Sequence, residues 1–251
     1  MRIATWNVNS LKARMPRLEE WIEANQPDVM CLQETKMADA EFPHFAFHAL
    51  GYEACSWGTG RWNGVAIISR RGVDSVIKGF GEEPRLVSAV CGGIRFGSLY
   101  APNGRMVGTE HYDAKLRWLA ALVEWLDERE PAVPIALCGD FNIAPDDRDV
   151  WDPAEAHGAT HVSEPERAAH RAVLARGLVD AFRLHHDEGG VFSWWDYRAG
   201  HFHRGKGMRI DLVLLSSSLA DRCLDARIDR EARKGKAASD HAPVLVDLKD
   251  E

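Results

Sequence analysis

No stretch of this sequence is long and apolar enough to cross a bilayer. The longest apolar runs, "VAIISR" and "IDLVLLSSSL", stop well short of the ~20 residues that a spanning helix needs. The N-terminus, "MRIATWNVNS", has no basic segment followed by an apolar one, so it is expected to be folded structure and not a secretory leader. Cysteine is scarce and unpatterned. Cys31, Cys55, Cys91, Cys138 and Cys223 are odd in number and show no CxxC spacing, which argues against a disulfide framework or a zinc ribbon. Reduced, mostly buried thiols in a cytoplasmic protein are the expectation. Positive charge is not in excess either. The net charge is -7, so any polyanionic partner must be met by local basic patches. HExxH, GxSxG, GxGxxG and GxxxxGK[ST] are all missing, which removes the common signatures of zinc proteases, serine hydrolases, dinucleotide binders and P-loop enzymes.

What remains is an ordinary globular composition, 45% hydrophobic and 27% charged over 251 residues. Short β-branched runs bounded by turn residues predict strands over residues 2–8, 28–34, 64–70, 86–102, 134–140, 208–216 and 242–248. Helical spacing is clear in "PRLEEWIEAN", with Leu18, Trp21 and Ile22 on one face and Pro16 in the first turn. It recurs in "YDAKLRWLAALVEWLDERE" through Tyr112, Leu116, Leu119, Val123 and Leu126. "SEPERAAHRAVLARG" opens on a Ser163 to Glu166 capping box and closes on Gly177 as C′. No linker divides the chain, so one domain over residues 1–251 is expected, built as a β-sandwich flanked by helices. "PDVMCLQET" and "PIALCGDFN" are alike, each an apolar strand ending in an acid.

Polar residues gather at strand ends: Asn7 and Asn9, Gln33 and Glu34, Asp140 and Asn142, Asp211, and Asp240 with His241. Any one of them could simply stop a strand in an Asx-turn. Together, on one rim of a packed sheet, they would repel unless a cation sat among them. Oxygen donors with one His suit Mg²⁺ or Mn²⁺, hard ions that join phosphate oxygens, and so point to phosphoryl transfer.

The motifs "TWNVNSLKAR", "CLQETK", "LYAPNG", "CGDFNIAP", "SWWDYR", "RIDLVLLS" and "SDHAPVLVDL" occur in the order found in AP endonucleases of the exodeoxyribonuclease III type. The chain resembles that family from end to end. The wider superfamily also holds DNase I-like nucleases and phosphatases of inositol phosphates or lipid headgroups, which gives the alternative reading. The resemblance implies an α/β four-layer sandwich, two mixed β-sheets flanked by helices. It implies Glu34 as the main Mg²⁺ ligand, with Asp240 near and Asn9 where some relatives carry Asp. Asp140 would prepare the attacking water, and Asn142 and Asn7 would hold site geometry and phosphate oxygens. Asp211 would orient His241 toward a phosphate oxygen, and Tyr100 and Asn103 would approach from the opposite side.

By the same resemblance Trp194 lines a pocket for an extruded abasic sugar and Met208 forms its wall. In an alternating strand Trp194 and Trp195 must face opposite ways, so one of them is expected in the core. Basic residues adjoin the motifs: Lys12, Arg14 and Arg17, then Arg61, Arg105, Arg204, Lys206 and Arg209, then Arg233, Lys234 and Lys236. Of these, Arg61 and Arg209 are expected on the DNA backbone. The expected substrate is double-stranded DNA with abasic sites or 3′ ends, cut by a monomer that makes no membrane contact.

Overall fold

The computed structural model describes residues 1–129 and 132–250. Its strands are β1 (Arg2–Asn7), β2 (Val29–Gln33), β3 (Glu53–Trp57), β4 (Val65–Ser69), β5 (Asp74–Lys78), β6 (Leu86–Cys91), β7 (Ile94–Tyr100), β8 (Ile135–Asp140), β9 (Leu178–Asp180), β10 (Asp211–Ser216), β11 (Cys223–Ile228) and β12 (Val244–Leu248). The α-helices are α1 (Leu11–Asn25), α2 (His44–Ala49), α3 (Glu110–Asp127), α4 (Pro153–Ala156), α5 (Glu164–Leu174) and α6 (Ser217–Ala220).

The strands form two six-stranded sheets, β11-β12-β1-β2-β4-β3 and β5-β6-β7-β8-β10-β9. Each sheet carries one parallel pair at its centre, β1 with β2 and β7 with β8, among antiparallel neighbours. The two sheets therefore share a pattern in which β2 and β8 occupy equivalent places. Those are the strands of the two similar segments.

Period-two alternation divides the central strands between two cores. Ile3, Val29, Cys31, Val65, Ile67, Phe96, Ala136, Cys138, Val213 and Val246 interlock between the sheets. The alternate residues Ala4, Trp6, Met30, Leu32 and Ile68 pack outward against Leu18, Trp21 and Ile22 of α1 and Phe47 of α2. On the other side Leu99, Leu137, Leu212 and Leu214 pack under Leu122 and Leu126 of α3 and Val173 of α5. The result is the expected α/β four-layer sandwich. All five cysteines are free, and only Cys223 is not buried.

Several elements depart from the sequence reading. The 86–102 segment is two strands, because the left-handed Gly92 and Gly93 turn it back on itself as a hairpin. The strand expected from residue 208 begins at Asp211, since Met208 instead bridges Val150 and Trp194. Strands β3, β5, β9 and β11 lie at or beside sheet edges, where the hydrophobic alternation is weak; β5 is exposed at every position. Helix α1 starts at Leu11, which places Pro16 inside it, beyond the first-turn positions where a missing N–H is harmless. In α3 the buried face includes Lys115 and Leu122 in place of Leu116 and Val123. Gly177 takes φ 78, but α5 already ends at Leu174 with Ala175 as its cap, so the left-handed turn comes one residue later than expected. Glu130, the last residue of the expected α3 segment, lies outside the described residues.

Candidate active site

On the strands that meet at one rim, the inward-facing row turns polar at the rim end: Asn7, Gln33 and Asp140 close β1, β2 and β8, and Asp211 opens the antiparallel β10. The pairing register sets Tyr100 beside Asp140 and Asp140 beside Asp211, a row across three adjacent strands. Gly139 allows β8 to lie there. Its φ is 148, and a Cβ would come 2.0 Å from the Leu99 carbonyl oxygen.

Two acids directly opposite one another on paired strands repel. Here an imidazolium separates their charges. His241 Nδ1 donates to Asp211 Oδ2 at 2.8 Å and Oδ1 at 3.1 Å, while Nε2 stands 3.8 Å from Asp140 Oδ2. Burial alone would push the His241 pKa down, but Asp211, Asp140 and Asp240 outweigh it and carry it up to about 10. Asp140 is raised to about 7, chiefly by burial, with Asp211 and Glu34 adding to the rise and His241 and the Asn142 N–H opposing it.

Asn7 reaches from the first sheet to the second. Its Nδ2 donates to Glu34 Oε1 (2.9 Å) and to Asp140 Oδ2 (3.0 Å), and its Oδ1 accepts the Asn9 N–H (3.0 Å). Both amide hydrogens are thereby spent, so Asn7 fixes two carboxylates and has no donor left for a phosphate. The second oxygen of Asp140 accepts the Asn142 N–H at 2.8 Å. Asn142 Nδ2 donates to the Ala101 carbonyl, and its Oδ1 accepts from Asn103, leaving one amide hydrogen uncommitted.

The residues expected to hold a metal form a hydrogen-bonded run. Lys36 Nζ bridges Glu34 Oε2 (2.8 Å) and Asn9 Oδ1 (2.5 Å), and Asn9 Nδ2 donates to Asp240 Oδ1 (2.9 Å). A second convergence lies beside it: Glu34, Asp140 and His241 each offer an atom within 4.8 Å of the others. Hard carboxylate oxygens converge there, while His241, protonated at both nitrogens, has no lone pair to offer a metal. The oxygen donors, centred on Glu34, fit a divalent cation. Glu34, Asn9 and Asn142 have positive φ values of 52, 45 and 51, a local strain that the surrounding hydrogen bonds hold.

Trp194 stands on the same rim, its Nε1 donating to Asp240 Oδ2 at 3.2 Å, whereas Trp195 is 1% exposed in the core. Met208 pairs with the Trp194 backbone and packs with it against Val150 and Ile210. Tyr100 lies beside Glu34 and Asp140, and burial followed by those two acids raises its phenol.

Arg209 is a correction. It is 1% exposed and sealed between Asp149 and Asp180 (2.7 and 2.8 Å), so it closes the fold and cannot reach DNA. Arg17 is likewise spent on the carbonyls of Ala232, Lys234 and Lys236, and Arg233 is buried over Tyr197 and Phe202. Arg61 is exposed.

The sequence reading passed over a support under the site. Lys115, fully buried, donates to the Asn142 carbonyl at 2.6 Å and pairs with the buried Glu166. His161 Nδ1 meets the same carbonyl at 2.5 Å. The capping box at Ser163 and Glu166 was the one visible signal, because Glu166 serves both helix and lysine.

A model of the endonuclease/exonuclease/phosphatase family matches residues 4–241. The chain belongs to this family. Among its members, exodeoxyribonuclease III of Haemophilus influenzae is 34% identical over 99% of this chain and 100% of its own. A 3′ phosphatase from Neisseria, solved with a product DNA hairpin, is 37% identical with a TM-score of 0.97, covering 99% of both chains. An AP endonuclease from Archaeoglobus fulgidus is 34% identical with a TM-score of 0.96, covering 100% of both. The family's members of the exodeoxyribonuclease III type are thus similar to this chain along its whole length.

Proposed function

We propose that this protein is a DNA-repair phosphodiesterase that incises the backbone 5′ to abasic sites and removes nucleotides or phosphate from 3′ ends. The observation that carries it is Asp140, oriented at both oxygens by Asn7 and Asn142 and standing beside an imidazolium. Phosphodiester hydrolysis needs an in-line water, a proton acceptor and positive charge on the phosphate oxygens. Asp140, with its pKa raised to about 7, suits it to take a proton from water near neutral pH. His241 stays charged there and presents Nε2 to a non-bridging oxygen, while Asp211 holds its ring. Asn142 offers its remaining amide hydrogen, and Tyr100 and Asn103 close on the phosphate from the far side.

Glu34, with Asn9 and Asp240 beside it, would hold Mg²⁺ or Mn²⁺, which when bound supplies charge neutralisation at the phosphate and the departing alkoxide. Asp211 and Asn7 act through other groups and are positioning residues. Trp194 and Met208 offer an apolar wall to a sugar that has lost its base, which leaves the stack at least cost. Exposed Arg61 provides backbone charge.

The test incubates an abasic-site duplex, a duplex with a 3′-phosphate and an inositol polyphosphate, each with Mg²⁺ or EDTA. Wild type is expected to process both DNAs only with Mg²⁺, and Asp140→Asn neither. Phosphate release from the inositol compound with both DNAs intact would overturn the reading.

A further inference from the structure

Next to Tyr100 and Asn103 the surface opens into a groove of about 630 Å³. Trp62, Phe80 and Trp118 give it aromatic surface, and Arg85, Arg105 and Arg117 give it positive charge. The Phe80 and Trp118 rings lie 5.2 Å apart and support each other as a floor. Trp62 also lines the groove and is 73% exposed. Two glutamates also line the groove, but Glu83 is already paired with Arg85. The side chains of Arg105 and Arg117, and of Arg61 next to Trp62, have no hydrogen-bond or ion-pair partner among the described residues. Most arginines elsewhere are tied to carboxylates or carbonyls, so the free charge here is available to a ligand.

Resting on the function proposed above, we infer that this groove holds unpaired nucleotides of the DNA strand that continues from the phosphate at Tyr100 and Asn103. A paired duplex is convex on this scale and keeps its bases inside the stack. Only an unpaired segment can bring base faces into a concave aromatic pocket while its phosphates meet arginines at the rim. Alternating aromatic and cationic side chains form the usual platform for single strands, indifferent to sequence because every base has a π-face. None of the groove's tryptophans or free arginines belongs to the acid, amide and imidazole set that handles the phosphate. Strand capture is therefore separable from hydrolysis.

The test measures fluorescence anisotropy in EDTA, where nothing is cut, with a blunt DNA hairpin and the same hairpin carrying a 5′ or a 3′ unpaired extension of about four nucleotides. At least one extended hairpin is expected to bind about tenfold tighter than the blunt one. Trp62→Ala should remove most of that gain without changing affinity for the blunt hairpin, and Trp62→Phe should keep it. Arg117→Ala should lower the salt dependence of the extended complex by about one counterion. Equal affinity of wild type for all three hairpins, or a gain that survives Trp62→Ala, would overturn the assignment. In a parallel Mg²⁺ assay, DNA that is cut while the extension adds no affinity sinks only the groove. DNA neither bound nor cut sinks the proposed function with it.

Discussion

Asp211 Oδ2 and His241 Nδ1 lie 2.8 Å apart, and this contact decides both the charge and the aim of the imidazole. Asp211→Asn keeps the shape but removes the counter-charge. The His241 pKa should fall from about 10 toward the ordinary range, seen in its ring NMR resonances against pH. Hydrolysis should drop about a hundredfold or more with little change in DNA affinity. An unaltered rate at pH 7 would remove the imidazolium from the scheme.

Lys115 and Glu166 are a buried ion pair with no solvent to take either charge alone. Lys115→Met should cost about 3–5 kcal/mol, because Glu166 is left buried without its cation. Urea unfolding measures this, and adding Glu166→Gln to the same chain should recover part of the loss. A midpoint equal to wild type in the single variant would show that the pair is dispensable.

Arg209 separates a structural cation from a DNA-binding one. Arg209→Leu strands Asp180 and leaves Asp149 with Arg183 alone, and should destabilise by about 3–5 kcal/mol. At temperatures where the variant remains folded, its affinity for duplex DNA should match wild type. A lower salt dependence of binding would instead restore Arg209 to the interface.

His170 predicts a pH dependence of stability. Burial, the largest influence, with Arg209 and Arg171 holds it at about 4, against the opposing pull of Asp180 and Asp149. Between about pH 6.5 and 4 the unfolded chain binds this proton better than the folded one, so the contribution is complete above that window and is lost as pH falls through it. Urea midpoints of wild type and His170→Gln should differ less at pH 4.5 than at pH 7.5. A gap that widens on acidification would contradict the assigned direction.

The parts legible in sequence were those governed by period-two geometry. A polar residue at either end of an apolar strand, in step with the inward residues, faces the same side as they do, so Asn7, Asp140 and Asp211 could be read as one rim. Charge was the poorer guide. Arg209 sits in a basic cluster in sequence, yet its place is set by two acids distant in the chain, Asp149 and Asp180. Lys115 was hidden for the same reason, since a lysine on an amphipathic helix ordinarily belongs to the solvent side. The edge strands escaped because an exposed strand such as β5 has no hydrophobic alternation to reveal it.

The shared pattern of the two sheets gives the site a built-in dependence. Asn7 belongs to one sheet and Asp140 to the other, and a single amide nitrogen ties Asp140 to Glu34 across the gap. Neither sheet carries a usable fraction of the chemistry by itself. Turnover therefore doubles as a gauge of how well the two sheets are docked, and should fail as soon as they part, before either has lost its own strands.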